Sequence, residues 1–193
     1  MIARGFDVPE TNSLEETDWQ AELITDVGEF THDPVGFVNY AWAGCALDDW
    51  HGPRPWQKEV LEAIGAHLQN SSTVHQPCQI AVMSGHGIGK SALIAMITSW
   101  GMSTCEDCKI IITANTGTQL STKTVPEVHK WFRLAINAHW YDLKATSITV
   151  KDEDHERAWR TDFITWSENN SQAFAGMHNM GNHHHDAIAV NRK

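Results

Sequence analysis

Apolar positions along the chain change period several times, and each change predicts an element. Trp56, Val60, Leu61, Ile64 and Leu68 recur at the spacing of one helical face, with Pro55 at the opening position. They predict an amphipathic helix ending near Asn70. Upstream, Asp33 and Pro34 suit a cap and a first helical position, so VGFVNYAWAG predicts a short aromatic helix over about 34–44. The first thirty residues are polar and acidic, and read as a flexible or loosely docked arm. After a turn-rich break at 71–78, the apolar run QIAVM (79–83) predicts a buried strand.

From Lys90, SALIAMITSWGM is apolar nearly all round, as in a helix packed beside a sheet. KIIIT (109–113) is β-branched and predicts a second buried strand. Leu120, Val125, Val128, Trp131, Phe132 and Leu134 predict a helix that Pro126 kinks or restarts. Strand, turn, helix, strand and helix in this order make a parallel βαβ unit with a right-handed crossover. SITV (147–150) and RTDFITW (160–166) predict shorter strands around the charged turn KDEDHER. The tail GNHHHDAIAVNRK offers one weak apolar stretch. The expected organisation is an arm over 1–32 and an α/β domain over 33–193.

At 193 residues, with 41% hydrophobic and 20% charged, the chain is long and apolar enough for one globular domain. Its net charge of −10 argues against a surface built mainly to bind nucleic-acid phosphates non-specifically. No stretch has signal-peptide or membrane-span character, which points to the cytoplasm and to no membrane partner. Cys45, Cys78, Cys105 and Cys108 then read as free thiols.

The chemistry is concentrated between the predicted strand and helix, where the chain reads Ser84-Gly85-His86-Gly87-Ile88-Gly89-Lys90-Ser91. A loop of this kind wraps a β-phosphate with successive backbone N–H groups, and glycines permit the backbone angles and the close approach. Gly85, Gly87 and Gly89 fill that role, and the helix starting at Lys90 aims free amides at the same anion. Lys90 would neutralise β/γ-phosphate charge and the Ser91 hydroxyl would ligate Mg²⁺. The strict pattern wants glycine where this chain has Ser84, while the Gly-Lys-Ser core is intact. ATP with Mg²⁺ is the expected ligand.

Three further stretches extend this pattern. GPRPWQKEVL (52–61) resembles the glutamine motif that precedes the phosphate loop in phage terminase large subunits and related helicase-like motors. IIITANTGTQLSTKTVPEVHKW (110–131) is similar to the segment after their second strand, and DPVGFVNYAW (33–42) resembles the N-terminal lead-in of prophage-type large terminases. The resemblance implies a P-loop NTPase domain of the ASCE type, with a parallel sheet flanked by helices, that couples ATP hydrolysis to packaging of viral DNA. It implies that Gln57 contacts adenine, and that double-stranded DNA, a terminase small subunit, a procapsid portal and further copies of the chain are partners. In the family a nuclease domain follows, for which this chain has no room.

Such a motor also needs an apolar strand ending in an Asp-Glu pair, to hold the metal and position the attacking water. After Met180 this sequence offers only Asp186, with no preceding apolar strand. The domain therefore reads as incomplete at its C-terminus, ahead of the acidic motif. Two alternatives remain open: an inactive nucleotide-binding remnant, and another helicase-like P-loop ATPase.

The other constellations have plainer readings. Cys105 and Cys108 form a lone C-x-x-C without the second pair a structural zinc site needs. His178, His183, His184 and His185 make a histidine-rich tail without an acidic partner pattern. The nine tryptophans are spread along the whole chain, which favours packing over a stacking platform for single strands. His86 in the loop is either a protonated partner of γ-phosphate charge or a neutral loop histidine. Thr113, Asn115 and Gln119 either relay nucleotide state or cap the helix that follows.

Overall fold

The computed structural model describes residues 13–47, 50–83, 85, 87–165 and 188–192, with backbone alone for 13–17 and 188–192. Within them the chain is mixed α/β, with helices packed on a five-stranded sheet. No described helix is long and apolar enough to cross a membrane.

The N-terminal region departs from the arm expected over the first thirty residues. Ser13–Gly28 forms a helix, α1, and its Leu23 and Val27 are only 2% and 1% exposed within the common core. These two apolar residues, four apart, lie on one helical face and enter the core, while Gln20 is hydrogen-bonded to His139 and Trp140 at its edge. Helix α2 (Pro34–Ala41) opens as its sequence predicts: the Asp33 carboxylate accepts the Gly36 N–H at 2.9 Å, and Pro34 fills the first turn. Helix α3 (Pro55–Gln69) packs beside α2 where Gly65 leaves room, since a Cβ there would lie 3.2 Å from the His32 carbonyl oxygen.

Helix α4 (Lys90–Thr104) is central. Every residue from Ala92 to Met102 is buried, matching its all-round apolar sequence. Strand β1 (Lys109–Ala114) follows after a turn at 105–108. A short helical turn α5 (Gly117–Gln119) then widens into π geometry over Leu120–Thr124 before α6 (Val125–Leu134). The cause is Pro126, which has no N–H and crowds the preceding turn. The helical backbone runs on without a break through Pro126, so of the two outcomes expected the proline distorts the helix and does not restart it.

Strands β2 (Tyr141–Leu143), β3 (Ser147–Val150), β4 (Arg160–Thr165) and β5 (Ile188–Arg192) complete the sheet in the order β2-β3-β4-β1-β5. β1 lies parallel to both β4 and β5, whereas β2/β3 and β3/β4 are antiparallel. The sheet is therefore mixed, not the parallel sheet expected. The reversal follows from the charged run after β3, an exposed turn that is too short for a crossover and sends β4 back beside β3.

The largest correction concerns residues 79–83. They form no strand and are exposed throughout, with Met83 fully so. The βαβ unit through α4 is therefore absent. The position beside β1, on the side away from β4, is held by β5, from the tail read as a weak apolar stretch.

Alternation along β1 and β4 sends Ile110, Ile112, Ala114 and Phe163 into the core. Tryptophans act as packing struts, as their spread suggests. The indoles of Trp42, Trp100 and Trp159 donate to the carbonyls of Trp131, Phe30 and Met102 at 3.0, 2.8 and 2.9 Å. Trp42, Trp50 and Trp131 also meet edge to face, with ring centroids 5.1 to 6.3 Å apart.

Candidate phosphate-binding loop

The chain leading into α4 carries the backbone signature of its glycines. Gly87 and Gly89 have φ of +77° and +92°, a region that L side chains enter only under strain. Gly89 immediately precedes the helix, and its carbonyl accepts the Leu93 N–H at 3.0 Å, closing the first turn. Helix and β1 run in opposite directions through the turn at 105–108, so the start of α4 lies toward the end of β1 marked by Ala114. That is the carboxyl end of the parallel strands, where open α/β sheets carry their ligands.

Lys90 closes over the loop. Its Nζ donates to the Gly85 carbonyl at 2.9 Å, which holds a cation against the loop at the helix start. Ser91, beside it in the first turn, is half-buried, as are Ile88 and Gly89, while Gly85 and Gly87 are exposed with no atom within 4 Å of where a Cβ would sit. Ser84 and His86 lie outside the described residues. A lysine ammonium, the backbone amides of a helix start and a serine hydroxyl on a glycine loop form a donor set suited to a phosphate anion, with an oxygen ligand for a hard divalent cation. The sequence-predicted residues Gly85, Gly87, Ile88, Gly89, Lys90 and Ser91 are thus brought together.

Gln57 joins them in an unexpected way. It is 2% exposed, and both ends of its carboxamide bind backbone: Oε1 accepts the Arg54 N–H at 2.8 Å, and Nε2 donates to the Gly89 carbonyl at 2.8 Å. It therefore ties the first turn of α3 to the residue that begins α4. The bond to Arg54 alone has a sequence signal, the three-residue spacing of Arg54 and Gln57 around Pro55, in which the third helical residue reaches back to the capping amide.

At the end of β1, Thr113 is buried and Asn115 exposed. The cap of the following turn comes from Thr116, whose Oγ1 accepts the Gln119 N–H at 3.1 Å. None of Thr113, Asn115 and Gln119 supplies that cap with its side chain.

Cys105 and Cys108 are free thiols, and burial pushes both up, Cys108 to about 12 with the neighbouring Cys105 adding to the effect. Such thiols are poor metal ligands and nucleophiles. Among the described residues no group of three or more His, Cys, Asp or Glu could hold a metal ion, and the histidine-rich tail lies outside them. His155 Nδ1 pairs with Asp107 Oδ1 at 2.9 Å, and that hydrogen bond pushes the imidazole above its ordinary value. No protein-family model matches the chain, and no curated protein matches it.

Proposed function

We propose that this chain binds a nucleoside triphosphate, ATP with Mg²⁺, at the loop 84–91, as the ATPase portion of a phage-type DNA-packaging motor. The observation that carries the reading is the Lys90 ammonium folded over a glycine loop onto the Gly85 carbonyl, at the start of a fifteen-residue helix. Lys90 and the loop amides would hold the phosphates, with Gly85, Gly87 and Gly89 setting the loop's shape and Ser91 ligating the metal. Mg²⁺ would neutralise phosphate charge there. Gln57 would brace the loop. The resemblance of 33–42, 52–61 and 110–131 to terminase large subunits supports the narrower assignment, with double-stranded DNA, a small subunit, a portal and further copies of the chain as partners.

A second reading, nucleotide binding without hydrolysis, is favoured by one observation. The apolar strand beside β1 on its far side from β4 ends in Asn191 and Arg192, neither of which offers a carboxylate as base or metal ligand.

Binding of a fluorescent ATP analogue and release of phosphate, measured for the chain and for Lys90→Ala, test both. Losing a charged hydrogen-bond donor should weaken binding by roughly tenfold to a hundredfold. Lys90-dependent release supports the motor, Lys90-dependent binding without release supports the second reading, and absence of binding overturns both.

A further inference from the structure

Two segments of this chain are built for one place in the sheet. Ile80-Ala81-Val82 precedes the loop, and the same tripeptide recurs as Ile188-Ala189-Val190 in β5. The second copy lies parallel to β1, with Ile188, Ala189 and Val190 across from Ile110, Ile111 and Ile112. The first copy belongs to no helix or strand, and its Ile80, Val82 and Met83 are 42%, 40% and 101% exposed. Apolar, β-branched residues left in water directly ahead of a folded helix are an unsatisfied strand.

We propose that residues 79–83 and 188–192 are alternative occupants of the edge beside β1, and that β5, when seated, keeps the phosphate loop detached from the sheet. The geometry favours exchange in the same direction and register. α4 returns antiparallel to β1, so a strand feeding α4 through the loop runs parallel to β1, as β5 does. The α4 connection then becomes the right-handed crossover that parallel neighbours require. With Ile80 across from Ile110 and Val82 across from Ile112, the chain leaves the sheet level with the end of β1, where the loop begins. Seating 79–83 would anchor the loop from both sides, through the sheet before it and α4 after it. That consequence rests on the phosphate-binding reading; the exchange itself does not.

Hydrogen exchange read by mass spectrometry on the full chain tests it without nucleotide. Successive amides of a strand point to opposite sides, so Ala189→Pro with Val190→Pro removes whichever N–H faces β1. In the unmodified protein, amides 80–83 should exchange quickly. In the double variant they should gain at least about tenfold protection, while those of 92–102 keep theirs as the sign of an intact fold. Amides 80–83 that stay unprotected in the variant, or that are equally protected in both proteins, overturn the proposal.

A second measurement leaves β5 unaltered. With Cys78→Ser in the background, Met83→Cys and Thr113→Cys should form a disulfide under mild oxidation, because Met83 takes the place of Asn191 across from Thr113. No bond beyond that of the single-cysteine controls also overturns it. ATP binding measured on the same proteins separates the two ideas: trapping without binding leaves the exchange standing and removes the assigned ligand.

Discussion

The Gln57 carboxamide donates to the carbonyl of Gly89 at 2.8 Å, across 32 residues of sequence, and so couples the start of α3 to the start of α4. A contact of this kind fixes the loop from behind, leaving its open face for a ligand. It also changes what Gln57 is expected to do for a nucleotide. As a brace, it acts on loop shape and so on every phosphate ligand equally. As an adenine reader, it would discriminate among bases.

Gln57→Ala should therefore weaken ATP, GTP and inorganic triphosphate by similar factors, and lower stability by about 1 to 3 kcal/mol through the orphaned backbone partners. Titration of the three ligands, with urea unfolding, checks this. A loss confined to ATP would return Gln57 to the base.

Gly89 and Gly87 separate backbone strain from crowding. Alanine at either forces a left-handed residue, costing about 1 to 2 kcal/mol. At Gly89 the new methyl would also lie 2.9 Å from Gln57 Nε2, whereas at Gly87 it meets nothing within 4 Å. Gly89→Ala should accordingly be the more destabilising of the two in urea unfolding, and equal midpoints would contradict the tight approach of Gln57.

The His155 pair predicts a pH dependence with a definite sign. The Asp107 hydrogen bond raises the folded-state value above the ordinary one of about 6.5, with Asp107 charge adding to it. The stabilisation is fully present below pH about 6.5 and is lost as pH rises through the higher folded value. Asp107→Asn, which tolerates the left-handed backbone at φ +54°, should bring the His155 titration back toward 6.5 in NMR. Its stability deficit should be seen near pH 6 and fade as pH rises through the folded-state value.

Tyr141 tests a buried network at the far end of α4. Ser103 donates to the Ser99 carbonyl at 2.6 Å, so the Tyr141 hydroxyl, 2.7 Å away, donates to Ser103 Oγ, which also accepts from Asn137 at 2.8 Å. Burial pushes the phenol strongly up, keeping it protonated as that donor. Tyr141→Phe should cost about 1 kcal/mol in urea unfolding and leave ligand affinity unchanged.

Where sequence and fold agree, local signals coincide with burial. Asp33 and Pro34 start α2, Pro55 starts α3, and the all-apolar run after Lys90 becomes the buried α4. Where they part, a distant segment decides. The run at 79–83 has every strand attribute, yet β5 carries the same Ile-Ala-Val and holds the sheet edge, a competition invisible to any local window. α1 was obscured because only Leu23 and Val27 of its described apolar side chains are buried, while Trp19 and Ile24 stay exposed and blur the pattern. The loop glycines were legible from their spacing, whereas the part of Gln57 was not, since its partner is set by how α3 meets α4.

The burial of α4 on every side gives it the mechanical character of a keyed shaft. Side chains grip it along its length, Trp159 holds the Met102 carbonyl, and Tyr141 holds Ser103 at its far end. Such a rod can neither roll nor slide without opening the interior. A response to a ligand at the proposed loop site must therefore be expressed sideways, in the loop and the segment that feeds it, while the shaft stays as the fixed reference against which that motion is made.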